Sequence, residues 1–245
     1  TSPYGEVLAM AMQGPVDTYW NTASGMNVRH QIQIPPDASF RDRIRLTIEE
    51  LEAAVKDRTN PNPASKAQST FLKRQIEDKL SFAYELDPGH YANYNTYHFF
   101  LTEPAVGTQR QLNRDAAKLA EKTINYCLSR NDDPRHALTA AAATENMLQL
   151  MFNDRNNEKP RFTTGQMRKQ LALLDHCIAR YSQMSGEWEK TGNWSLFSDQ
   201  RRVECEDRLT YILKMRETCE KTIIRFESAS TSATSQAQSS LSFSS

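Results

Sequence analysis

Leu86-Asp87-Pro88 and Asp132-Asp133-Pro134 are two matching stretches of this sequence, and they decide its fold. Each stretch follows one amphipathic run and precedes another. An Asp side chain can accept hydrogen bonds from the free N–H groups of a first helical turn, and a Pro at the first helical position lacks an N–H that would be unsatisfied there. We therefore predict that both stretches begin a helix and that the chain is a stack of helical hairpins.

Capping boxes and composition extend this prediction along the chain. Ala (24) and Leu (20) outnumber Val plus Ile (16), and only 8 residues are Gly, a bias typical of helices. In a capping box, a Ser or Thr and a Gln three residues later each bond the other's backbone N–H. Three such pairs occur: Ser65 with Gln68, Thr108 with Gln111, and Thr163 with Gln166. The sequence predicts an all-α fold of about eight helices, as a helical-repeat solenoid or an irregular bundle.

Changes in composition divide the chain into three parts. Residues 1–36 are predicted to form a kinked helix followed by an extended arm at 27–34, where apolar and polar residues alternate. Residues 37–227 carry the helical periodicity and form the helical-hairpin domain. Residues 228–245 are mostly Ser, Thr, Ala and Gln, so we predict a disordered tail.

Several apolar patterns predict how the helices pack. Leu72, Ile76 and Leu80 recur at helical spacing, whereas Ala137, Ala140 and Ala141 give the next helix a small-residue face that suits close approach to a neighbour. Residues 185–197 contain two Gly and two Trp and are predicted to form a loop whose tryptophans fill a gap between helices. The four cysteines are widely spaced and are expected to be buried free thiols.

The run Ala83–Pro88, followed by Tyr91, Tyr94 and Tyr97, resembles the junction between two tetratricopeptide repeats. The two Asp-Pro starts lie 46 residues apart, which exceeds the 34 residues of a standard unit but suits longer helix pairs. The resemblance implies a stack of helix pairs that binds partner proteins.

The densest group of unusual side chains lies in residues 90–100. Tyrosine offers apolar contact with a polar tip, and an Asn amide can bond a peptide backbone or a carboxylate. We predict a recognition surface for a protein or peptide partner made of Tyr91, Tyr94, Asn95, Tyr97 and His98. The alternative interpretation is an aromatic helix buried between hairpins.

Two other functions stay open at this point. A helical-bundle protein could hold a metal or cofactor with His90 and His98, although no Glu-x-x-His or His-Glu-x-x-His occurs in the chain. No Gly-x-Ser-x-Gly motif or Gly-rich phosphate loop is present either, so we expect neither catalytic residues nor a bound cofactor. The third alternative is an envelope protein tethered to a membrane.

Charge and hydropathy bear on partners and compartment. Thirty basic residues balance thirty acidic ones, so we expect no nucleic-acid partner. No stretch approaches the ~20 apolar residues of a membrane span. The sequence starts at Thr1 without Met, so an N-terminal signal or anchor could have been removed. We favour the cytoplasm and leave a membrane-tethered or extracytoplasmic location open.

Overall fold

The computed structural model of this protein describes residues 66–102, 112–155, 157 and 159–242. Within these ranges the chain is all-helical, without strands, which confirms the predicted all-α class. Six α-helices and one short 3₁₀ helix, Asn193–Leu196, are described there. The α-helices are α1 (Lys66–Leu86), α2 (Tyr91–Thr102), α3 (Leu112–Leu128), α4 (Pro134–Asp154), α5 (Thr164–Thr191) and α6 (Asp199–Ser242).

Several predicted features lie outside the described residues. These are the kinked helix and arm within residues 1–36, the first part of the helical-hairpin domain at 37–65, and the capping boxes at Ser65 and Thr108. The described residues belong to two compact units, one containing 66–80 and the other beginning at Ser81. In the first, Ile76 and Leu80 are buried, as their helical spacing predicted. All further description concerns the second unit.

The start of α4 confirms one Asp-Pro prediction. The Asp133 carboxylate accepts a hydrogen bond of 2.8 Å from the backbone N–H of Arg135, and Pro134 is the first residue of the helix. The capping box at the start of α5 is also formed, because Thr163 and Gln166 each accept from the other's backbone N–H. Local sequence signals therefore position the N-termini of both helices.

The Asp87-Pro88 prediction is wrong in one respect. Asp87 accepts a hydrogen bond of 3.2 Å from the N–H of Gly89, and α2 begins only at Tyr91. In Asp87-Pro88-Gly89 the Asp carboxylate accepts its hydrogen bond from the Gly N–H within a tight turn and does not cap the next helix. The pattern therefore locates the end of α1 but not the first residue of α2.

Helix α4 lies at the centre of the second unit. It packs against α2, α3, α5 and α6. The small face predicted from sequence is fully buried, since Ala137, Ala140 and Ala141 are each at most 1% exposed. Because alanines keep side chains short, helix axes can approach closely on several sides of α4.

The segment predicted as a loop at 185–197 is largely helical. Helix α5 continues to Thr191 and ends at Gly192, whose φ of 73° is the left-handed conformation that favours glycine at a helix end. Trp194 is buried, and its ring centroid lies 5.2 Å from that of Trp188. The two tryptophans contribute to the core, as the gap-filling interpretation predicted.

Helix α6 extends beyond the predicted domain end at residue 227. Its backbone is helical to Ser242, so the segment predicted as a disordered tail from residue 228 continues this helix in the structure. The four cysteines are buried free thiols, as expected: Cys127, Cys177, Cys205 and Cys219. Among the helices described, none has the length and apolar character needed to cross a membrane.

Candidate binding groove

The structure separates the five predicted recognition residues. Tyr94 is fully buried and His98 is 7% exposed, while Asn95 is exposed to solvent. Tyr97 is half-buried, and its ring centroid lies 6.2 Å from that of Tyr84 on α1. Tyr91, Asn95 and His98 line cavities beside α2, whereas Tyr94 lies in the core. Three of the five predicted residues therefore line cavities, and a recognition surface that includes them stays a prediction.

Three adjoining cavities follow one side of α2. The first has a volume of about 440 Å³, the second about 60 Å³ and the third about 240 Å³. Tyr91 and Arg208 line both the first and the second, and Asn95 and Asn146 line both the second and the third. Because neighbouring cavities share walls, we treat them as one depression and call it the α2 groove. Its opposite wall comes from α4 and α6.

Arg208 of α6 lies where the first two cavities meet. Its guanidinium carbon is 3.9 Å from the centroid of the Tyr91 ring, which is a cation–π contact. Nη2 donates a long hydrogen bond of 3.4 Å to Oγ1 of Thr139, and the buried Nε has no hydrogen-bond partner. Burial lowers the pKa of Arg208, but a guanidinium remains charged in proteins. Among the described residues, no carboxylate forms an ion pair with it.

Two of the acidic residues around the first cavity accept hydrogen bonds from groups other than Arg208. Asp87 accepts a hydrogen bond from the N–H of Gly89, and both oxygens of Asp133 accept from the guanidinium of Arg135. The same cavity is lined by two further carboxylates and one further cation, from Glu204, Asp207 and Arg201. The wall around Arg208 therefore contains both signs of charge.

Glu145 of α4 lines the second cavity together with Arg208 and Tyr211. It is 7% exposed, and burial raises the pKa of its carboxyl group from 4.5 to about 7. No cation of the described chain lies within ion-pair distance of it. The negative charge of Glu145, followed by burial, in turn raises the pKa of Tyr211.

Tyr94 is buried behind the wall of the α2 groove and contacts two residues that line it. Its hydroxyl oxygen accepts a hydrogen bond of 3.0 Å from Nδ2 of Asn146, a residue that lines both the second and the third cavity. His98 contacts the Tyr94 ring at a centroid distance of 5.6 Å. Burial lowers the pKa of His98 to about 4, so this imidazole is neutral at physiological pH. Both residues therefore support the groove wall.

The two histidines of the metal hypothesis line different cavities. His90 lies at the first and His98 at the third. In the ranges that the structure describes, no group of three or more His, Cys, Asp or Glu residues could hold a metal ion.

Sequence reasoning missed Arg208 and Glu145, although a signal was present. Arg208 lies three residues after buried Cys205 and four before buried Ile212, and Glu145 lies four residues after buried Ala141 and three before buried Leu148. A charged residue at a core-facing position of an amphipathic helix is unusual and marks a candidate site.

Comparison of the chain with protein-family models, with curated proteins and with solved structures finds no match in any of the three. What the groove binds must therefore be argued from its own residues.

Proposed function

We propose that this protein is a protein-interaction module that binds an extended segment of a partner protein in the α2 groove. The observation that carries the proposal is the continuity of three cavities along one helix. The distance from Tyr91 to Thr102 along a helix axis is roughly 16 Å. At about 3.3 Å per residue, this length suits roughly five residues of extended chain.

The groove offers two kinds of contact to such a segment. The amides of Asn95 and Asn146 each provide a donor and an acceptor, which suits the alternating N–H and C=O groups of an extended backbone. Cavities on either side of these amides provide room for side chains of the segment. This arrangement gives affinity through the backbone and selectivity through side-chain pockets.

The order in which the helices pack supports a tetratricopeptide-like stack of helix pairs. Helix α3 packs on α4, and α4 packs on α5, with short connections between them. Short connections favour antiparallel neighbours, which are the units of tetratricopeptide-like stacks. We propose such a stack of helix pairs as the scaffold of the groove.

A peptide selection with a groove-filling variant tests the proposed function. Asn95→Trp places an indole in the groove, and Asn125→Trp is the matched control because Asn125 is an exposed residue of α3 that lines none of the three cavities. Random 12-residue peptides displayed on phage are selected on the original protein, and the affinity of enriched peptides is measured by fluorescence polarisation.

We expect enriched peptides to bind Asn95→Trp at least tenfold more weakly than the original protein and to bind Asn125→Trp unchanged. Thermal melts establish that both variants are folded. Failure to enrich any peptide, or equal affinity for the Asn95→Trp variant, would contradict the proposal.

A further inference from the structure

We infer that the first cavity of the α2 groove is a carboxylate-binding site, in which Arg208 pairs with one acidic side chain of the bound partner segment. The inference rests on the proposed function and assigns the chemistry of one anchor residue. It begins from Arg208, which lines this cavity and whose buried Nε has no hydrogen-bond partner.

Other arginines of the described chain show what satisfies this group. Four of them donate from both Nε and Nη2 to the two oxygens of a single carboxylate: Arg130 to Asp132, Arg135 to Asp133, Arg168 to Glu227, and Arg216 to Asp175. This paired geometry is the strongest hydrogen-bonded arrangement available to a guanidinium. At Arg208, Nε has no partner and Nη2 has only the 3.4 Å contact with Thr139.

Tyr91 contacts the guanidinium of Arg208 through its ring. The guanidinium carbon lies over the ring, 3.9 Å from the centroid. The N–H groups of a guanidinium lie in its plane, and a cation–π contact does not use them as hydrogen-bond donors. A carboxylate arriving through the first cavity approaches the terminal nitrogens in that plane, and bonding to the covered Nε requires the guanidinium to turn toward it. Side-chain rearrangements of this kind are common at interfaces.

The surrounding charges favour a carboxylate over a phosphate. Four acidic residues line the first cavity together with three arginines, so acidic residues are in excess by one: Asp87, Asp133, Glu204 and Asp207 against Arg135, Arg201 and Arg208. A phosphate monoester carries a charge of about −1.5 to −2 and is repelled more strongly by these groups than a carboxylate with a single charge. The same acidic residues attract cations beside the anchor. The fitting segment therefore has one Asp or Glu flanked by Lys or Arg.

The Nε–Hε NMR signal of Arg208 provides a direct test. It is assigned by its loss in Arg208→Met, and the ¹⁵N-labelled protein is titrated with the capped tripeptide acetyl-Lys-Glu-Lys-amide. Three comparison peptides replace the central Glu: acetyl-Lys-Gln-Lys-amide, acetyl-Lys-phosphoserine-Lys-amide, and acetyl-Lys-Gln-Lys with a free C-terminal carboxylate. Arg208→Lys keeps the charge without the planar fork, and Arg225→Gln is the control because Arg225 is exposed on the same helix and lines none of the three cavities.

We expect a saturable shift of the Arg208 signal with the Glu peptide and none with the capped Gln peptide. Arg208→Lys, followed by backbone amide shifts, should bind at least fivefold more weakly, and Arg225→Gln should bind as the original protein does. Equal shifts with Glu and Gln peptides would overturn the inference. A larger shift with the phosphoserine peptide than with the Glu peptide would overturn the inference in favour of a phosphate-binding site. A shift only with the peptide that has a free C-terminus would show that the site binds a C-terminal carboxylate and not an acidic side chain.

Failure of this inference is distinguishable from failure of the proposed function. If phage-selected peptides bind in a manner sensitive to Asn95→Trp but bind Arg208→Met with unchanged affinity, the groove binds peptides and the carboxylate assignment is wrong. If no peptide binds at all, the proposed function fails as well. Where Arg208→Met does not fold, loss of the signal in Arg208→Lys assigns it instead, and the titration of the original protein remains decisive.

Discussion

Replacing Glu145 by Gln should make the protein more stable at alkaline pH but not at acidic pH. Glu145 is buried in the wall of the α2 groove, with no cation of the described chain within ion-pair distance. Gln has nearly the same shape as a protonated Glu and carries no charge. The substitution therefore imitates the protonated form at every pH and removes the cost of burying the carboxylate.

The magnitude follows from the pKa of Glu145, which burial raises from 4.5 to about 7. Because the folded state binds the proton more tightly than the unfolded state, the stabilisation from the protonated group is complete below pH 4.5 and is lost as the pH rises to about 7. A difference of about 2.5 pH units corresponds to about 3 kcal/mol at about 1.4 kcal/mol per unit. We expect the free energy of unfolding of Glu145→Gln to exceed that of the original protein by about 3 kcal/mol at pH 8 and by less than about 1 kcal/mol at pH 5.

Urea unfolding followed by circular dichroism at pH 5, 6, 7 and 8 measures this difference. Two proteins must be compared because the titration of His98 gives the stability the opposite pH dependence. Burial lowers the pKa of His98 to about 4, so charging this imidazole destabilises the folded state as the pH falls below about 6.5. Its contribution cancels in the comparison. Glu121→Gln, an exposed residue of α3, is the control and should show no pH-dependent difference. The reasoning would be refuted if the difference in free energy of unfolding between Glu145→Gln and the original protein stayed constant from pH 5 to pH 8.

Three further predictions concern packing, and thermal or urea unfolding checks each of them. Gly89→Ala should destabilise by about 1–3 kcal/mol, because a Cβ there would lie 2.3 Å from Cδ2 of His136. Gly186→Ala, where nothing lies within 4 Å, should instead stabilise by about 0.5–1 kcal/mol, and equal effects at the two sites would contradict the close approach. Tyr94→Ala should cost ~3–5 kcal/mol because the ring is fully buried, whereas Tyr94→Phe should cost ~1 kcal/mol for one lost hydrogen bond. Deleting residues 229–245 should leave the melting temperature within about one degree, since this segment contains little apolar surface to bury, and a drop of several degrees would show that it packs on the protein.

The aromatic helix α2 shows why the candidate site was only partly predictable. Aromatic, apolar and polar residues are mixed around all sides of this helix, so the helical periodicity did not distinguish a buried face from an exposed one. Tyr94 and Asn95 are neighbours in sequence, yet one is fully buried and the other is exposed. The neighbouring helices α3 and α4 decide this difference.

The sequence by itself determined the local features of this protein: the all-α class, the N-termini of α4 and α5, and the small face of α4. These depend on hydrogen bonds or side-chain sizes within one or two helical turns, which a short stretch of sequence contains in full. Only the tertiary structure brought Tyr91, Glu145 and Arg208 together around the α2 groove, from three helices more than 50 residues apart in sequence. Their burial and charge environment arise from contacts between helices, and no local pattern in the chain specifies which distant helix will supply them.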